Sequence, residues 1–185
     1  MDEQAEGRWE FHAVPDPVAG LEAAYQGIAF DLMGLNNPRL NLRVEVAAEG
    51  PETVDGWHRA VLVAPWTALR VYLPEDPAQP VGLPEPAGLE CEDDGRVTPG
   101  VELSLIFQGG ARELEVAYDP RLGHHLVEEL LHDMGAFSDT TEALEWAREV
   151  ARRLDGRPRP AADSTGPEPR RLSRRDLFRG FLGRR

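Results

Sequence analysis

At 185 residues the chain has room for one ordinary domain of ~100–150 residues and a tail. A net charge of −13 disfavours nucleic acid as a partner, since affinity for a polyanion comes mainly from neutralised phosphates. The single cysteine, Cys91, excludes an internal disulfide and any rubredoxin-type or four-cysteine metal site within one chain, and no apolar run reaches the roughly eighteen residues that span a bilayer.

Met1-Asp2-Glu3-Gln4-Ala5-Glu6 is acidic where a secretory signal would be basic and then apolar, so a cytoplasmic location is expected. Asp16-Pro17 supplies an N-cap and a proline for the first helical position. Val18, Leu21, Ala24, Tyr25, Ile28, Ala29, Leu32 and Met33 follow at helical spacing, and Gly34 is placed to end the helix. The turn residues Asn36-Asn37-Pro38 lead into Leu40, Leu42, Val44 and Val46, whose alternation predicts a half-buried strand before a turn at Glu49-Gly50-Pro51. Trp57 to Val63 and Leu69 to Leu73 read as further strands, with Pro65 at a bulge or corner between them.

Residues 74–100 hold six prolines and predict a long loop. Val101–Phe107 and Arg112–Ala117 then read as a hairpin turning at Gln108-Gly109-Gly110. Helical spacing returns over Leu122–Met134 and again over Thr140–Leu154. The expected fold is therefore α+β: an antiparallel sheet of about five strands with one N-terminal helix and two C-terminal helices, over residues 1–156.

Residues 157–185 differ in composition. They carry nine arginines against Asp163, Glu168 and Asp176, a balance of +6 that leaves −19 on residues 1–156. The stretch after Gly156 lacks the apolar residues that offset ordering entropy and reads as a flexible linker. It leads to Ser173-Arg174-Arg175-Asp176-Leu177-Phe178, which matches the twin-arginine export consensus at the wrong end of the chain, with no long apolar region after it. Read structurally, the same segment is a short amphipathic helix with a Ser173/Asp176 capping box. Two arginines in its first turn oppose the helix dipole and favour a functional role.

Catalytic machinery is sparse. His124, Glu128 and His132 would share one face of a helix over 122–134, the basis for an alternative reading as a small metal-dependent enzyme. Their order is not His-Glu-x-x-His, and the wet face of an amphipathic helix accounts for them without a metal. No phosphate-binding glycine loop and no nucleophile elbow occur, so neither a catalytic residue nor a cofactor is expected.

Between Asn36 and Pro74 the chain resembles the HybE/HupJ/HoxT family of NiFe hydrogenase assembly chaperones. The matching residues are Asn37-Pro38-Arg39-Leu40, Val44-Glu45, Trp57, Leu62-Val63-Ala64-Pro65-Trp66 and Leu73-Pro74, with Thr67-Ala68-Leu69-Arg70 departing from the family's Phe-Met-Asn-Leu. The resemblance implies a non-enzymatic chaperone acting in the cytoplasm on the hydrogenase small subunit, whose twin-arginine signal must wait until its iron–sulfur clusters are in place. The large subunit is a further candidate partner. It implies a peptide groove for which Trp57, Pro65, Trp66 and Tyr72 are the expected lining, with Glu45 among the acidic contacts. The segment Ser173, Arg174, Arg175, Leu177 and Phe178 would then mimic the client signal or support self-association; as another alternative, it docks a scaffold protein onto a partner.

Overall fold

In the computed structural model, which describes residues 7–35 and 37–156, the Asp16 carboxylate accepts a hydrogen bond from the Ala19 amide at 3.0 Å. With Pro17 next in sequence, this cap starts α1, Pro17–Gly34. Leu21, Ala24, Tyr25 and Ala29 face the sheet, but the helix is apolar on its outer side too, where Phe30 and Met33 stay exposed.

Six strands follow: β1 Ala47–Val54, β2 Trp57–Ala64, β3 Thr67–Pro74, β4 Glu102–Phe107, β5 Gly110–Asp119 and β6 Gly123–Leu131. They form one antiparallel sheet in the order β1-β2-β3-β6-β5-β4. The helix α2, Thr140–Asp155, closes the described chain; its N-cap Asp139 accepts from the Glu142 amide at 2.9 Å. The sheet lies between α1 and α2. Ala60, Leu62 and Ala64 of β2 and Leu69, Val71 and Leu73 of β3 pack under α1, while Val63 and Ala68 project the other way, against Ala143, Leu144 and Ala147 of α2. At the far end of the α2 side, Trp57, Tyr72, Leu103, Leu105, Leu114 and Leu126 form a second cluster. It is roofed by Trp9 and Phe11 of the N-terminal strap and by residues of the 81–101 loop.

Two expectations are overturned. The alternating segment Leu40–Val46 is not a strand: pairing begins at Ala47 and runs through Gly50-Pro51, whose position on an edge strand is absorbed by a register shift between Glu49 and Glu52. Asn41 explains the difference. Its side-chain nitrogen donates to the carbonyls of Met134 and Phe137 at 2.8 and 2.9 Å, and its side-chain oxygen accepts from the Arg43 amide, so 41–44 is tied to the loop before α2.

The expected helix over 122–134 is instead the strand β6, which among the described residues raises the sheet to six strands and leaves one C-terminal helix. Leu122, Leu126, Leu130 and Met134 recur every four residues, a spacing that suits one face of a helix and, being even, one face of a strand. Position in the fold decides it. β6 lies between β3 and β5, and its first five residues are buried whichever face they point to. Gly123 enters the strand at φ +68, so close to the strap that a Cβ there would lie 2.4 Å from the Glu10 carbonyl oxygen.

Candidate functional surface

The residues expected to line a groove occupy different places. Trp57 and Tyr72 are buried together in the α2-side cluster. The Trp57 indole donates to the Val81 carbonyl at 3.1 Å, and the Tyr72 ring lies 5.2 Å from that of Phe107. Burial pushes the Tyr72 phenol above its ordinary value, against the pull of Arg70. Pro65 and Trp66 form the turn at the opposite end of the β2–β3 hairpin. Trp66 is half-buried on the α1 side and stacks on Tyr25 with ring centroids 6.4 Å apart. Glu45 is exposed, and its amide donates to the Thr140 hydroxyl at 2.8 Å. The fold thus joins Trp57 to Tyr72 and Pro65 to Trp66, but not the two pairs to one another. Ser173, Arg174, Arg175, Leu177 and Phe178 lie outside the described residues.

The histidine segment, now a strand, has no shared helical face. His124 is fully buried, its Nδ1 accepting from the Glu10 amide at 2.7 Å and its Nε2 facing the Val97 carbonyl at 2.9 Å. That pairing holds the neutral ring, and burial lowers its pKa. Glu128 pairs with Arg70 at 3.3 Å, and His132 lies in the open near Glu129. At about 3.3 Å per residue, His124 and His132 are some 25 Å apart along the chain. Among the described residues, no three histidine, cysteine or carboxylate side chains are grouped to hold a metal.

Three arginines converge at the end of α2. Arg59 and Arg70 each approach Oδ1 of Asp155 at 3.0 Å, and Arg112 approaches it at 3.3 Å. Arg70 also donates to the Ala151 carbonyl and Arg112 to that of Leu154, so cations meet the negative end of the helix dipole. Sequence reasoning missed this clamp. Its signal was a charge inside an apolar strand, Arg70 between Leu69 and Val71.

A further surface lies on the α1 side of the sheet. α1 packs mainly on β1 and β2, so that among the described residues no helix lies over the β4 and β5 half of that face. Strand alternation turns Glu102, Ser104 and Ile106 of β4 to this side, with Glu113 and Glu115 of β5 and Glu129 of β6. The register sets Glu102 opposite Glu115 and Ile106 opposite Ala111. Like charges placed opposite each other oppose folding, and Arg112, the arginine of these three strands, points to α2 and not to this side. Ile106 is 85% exposed among them. Sequence reasoning read these strands but not their acidic side, because a face composed from several strands appears only once the register is known.

By fold and surface this is an α+β protein whose open sheet face combines carboxylates with an exposed apolar side chain, chemistry suited to a basic, partly apolar polypeptide. Over residues 16–180 the sequence matches the family model described as "[NiFe]-hydrogenase assembly, chaperone, HybE". The chain belongs to the HybE family of hydrogenase assembly chaperones. It is 29% identical over 164 residues to the hydrogenase expression/formation protein HupT of Azotobacter chroococcum mcd 1, covering 88% of this chain and 94% of that one. The solution structure of HybE from Escherichia coli superposes with a TM-score of 0.51 at 17% identity, covering 93% of this chain and 94% of the other, and so shares the fold. Among the described residues, no helix is long and apolar enough to cross a membrane.

Proposed function

We propose that this chaperone acts in the cytoplasm on the small subunit of a NiFe hydrogenase, holding its twin-arginine signal until the subunit is ready for export and catalysing no reaction itself. Family membership supports the hydrogenase as client. The observation that carries the choice of ligand is the open face of β4, β5 and β6, where Glu102, Glu113, Glu115 and Glu129 surround no arginine of their own strands and Ile106 stands exposed. Guanidinium groups of the signal would pair with these carboxylates in charge-assisted hydrogen bonds, and the apolar residues that follow them would cover Ile106. Of the residues expected from sequence in this role, Glu45 and Trp66 retain surface to offer, whereas Trp57, Pro65 and Tyr72 act from within by supporting the hairpin.

The test is calorimetric titration of a synthetic twin-arginine signal peptide into the full chain. Binding should weaken as salt shortens the screening length below ~8–10 Å, and should weaken several-fold when both peptide arginines become glutamine. An affinity indifferent to salt and to that change would overturn the assignment. Pull-down of the small subunit, with the large subunit in parallel, identifies the client.

A further inference from the structure

We propose that residues 157–185 fold back around the β4–β5 hairpin and dock on the acidic side of β4 and β5, Arg174 and Arg175 against the glutamates and Leu177 and Phe178 over Ile106. This rests on reading that face as the peptide-binding surface and adds to it a built-in competitor.

Three observations carry it. The first is where the described chain ends. Arg112 holds the Leu154 carbonyl at 2.8 Å, and the Asp155 carbonyl oxygen lies 4.0 Å from where a side chain on Gly109 would begin. α2 therefore delivers the chain to the tip of the β4–β5 hairpin. One residue pair beyond that tip, Ile106 opposite Ala111, the open face starts. The route from one side of the sheet to the other is short, since packed layers are separated by ~10 Å. Arg157 to Leu172 is sixteen residues, and a chain of that length has a root-mean-square reach of ~20–25 Å.

The second is charge. The face concentrates carboxylates, and the segment that leaves the hairpin carries nine arginines against three acids. The third is the match of apolar groups: Ile106 is the most exposed large apolar side chain among those described, and Leu177, Phe178, Phe181 and Leu182 are the only large apolar residues after Leu172. Tethering through so short a linker gives an effective concentration in the millimolar range, so even a weak mimic keeps the face covered until a tighter signal displaces it. A covered face is also a guarded one, because the sheet's edge strand β4 borders it.

The experiment compares amide NMR spectra of the full wild-type chain and of the full chain carrying Arg174→Gln, Arg175→Gln and Phe178→Ala. Shifts confined to β4, β5 and the β4–β5 turn are expected; unchanged β4 and β5 signals, or shifts centred elsewhere, overturn the proposal. In a Cys91→Ser background, Ile106→Cys with Phe178→Cys should form a disulfide within one molecule under mild oxidation, and Leu42→Cys with Phe178→Cys should not. Equal yields for the two pairs, or a product linked between two molecules, also overturn it. Titrated with the twin-arginine peptide, the triple variant should bind about 3–10-fold more tightly than wild type. The two readings fail separately: no peptide binding alongside the expected shifts sinks the chaperone assignment alone, and equal peptide affinities with silent β4 and β5 signals sink the tail alone.

Discussion

Arg70, 1% exposed in the middle of β3, pairs at 3.0 Å with Asp155, the last residue of α2, and thereby joins the centre of the sheet to the point where the described chain ends. Asp155 is the carboxylate shared by Arg59, Arg70 and Arg112. Asp155→Asn removes the charge while keeping the shape, leaving three inward-pointing cations with less compensation. Breaking a buried pair costs ~3–5 kcal/mol; Asp155 is about a third exposed, so screening reduces the expected loss to about 1–3 kcal/mol. At about 2–4 °C per kcal/mol, thermal melting should fall by several degrees. Glu149→Gln, which cuts exposed pairs to Arg152 and Arg153 on the outer side of the same helix, should leave the melt unchanged.

His124 makes stability depend on pH. Its Nδ1 accepts from the Glu10 amide, so a proton there would face an N–H donor inside a fully buried site. Burial accordingly lowers the folded-state pKa below the ordinary 6.5. Between the two values the unfolded chain binds more protons, and stability rises with pH. The contribution is complete above about pH 6.5 and drains away as pH falls through that range, by at most about 1.4 kcal/mol per pH unit. Chemical denaturation at pH 7.5, 6.5 and 5.5 should show this slope in wild type, and His124→Gln should flatten it while lowering stability at pH 7.5. Equal slopes in the two proteins would assign the dependence to other groups.

The tryptophans separate support from contact. Trp57→Ala empties a fully buried site and should cost ~3–5 kcal/mol, whereas Trp66→Ala at the half-buried hairpin turn should cost about 1–2 kcal/mol. Trp57→Phe keeps most of the volume. It should leave affinity for the twin-arginine peptide within about twofold, measured by calorimetry on the folded variant, because no atom of Trp57 reaches the open face. A larger loss would return Trp57 to the binding surface.

What could be read beforehand was local chemistry. Asp16-Pro17 and the apolar spacing behind it announced α1, and the Gly109-Gly110 turn announced the β4–β5 hairpin, because caps and tight turns are decided by neighbours in sequence. β6 was misread because its four-residue leucine spacing fits either period, and only packing between β3 and β5 distinguishes them. Asn41 shows the same limit from the other side: its partners Met134 and Phe137 are over ninety residues away, and no local pattern signals them. The acidic face combines alternate residues of three strands, and the clamp on Asp155 combines arginines of three, so both became visible only with the register.

Gly123 tests how the N-terminal strap is held. At φ +68 it occupies the left-handed region, and the Glu10 carbonyl accepts from the His124 amide beside it. Alanine there pays the backbone penalty of ~1–2 kcal/mol and also drives a methyl to 2.4 Å from the Glu10 oxygen and 3.0 Å from the His12 nitrogen. Both contacts are backbone atoms, so the strap itself must move. Trp9 and Phe11 then lose their seat over His124 and Trp57, and the total cost should reach about 2–4 kcal/mol. Gly82→Ala is the control: its φ of +76 carries the same backbone penalty, but nothing lies within 4 Å of the added methyl, so it should cost only ~1–2 kcal/mol. Limited trypsin digestion read by mass spectrometry adds the local measurement. Cleavage after Arg8, whose amide is bonded to the Gly95 carbonyl at 2.8 Å, should accelerate at least several-fold in Gly123→Ala and barely change in Gly82→Ala. If both variants melt alike and Arg8 stays equally protected, the strap is held by the 81–101 loop and not by its approach to Gly123.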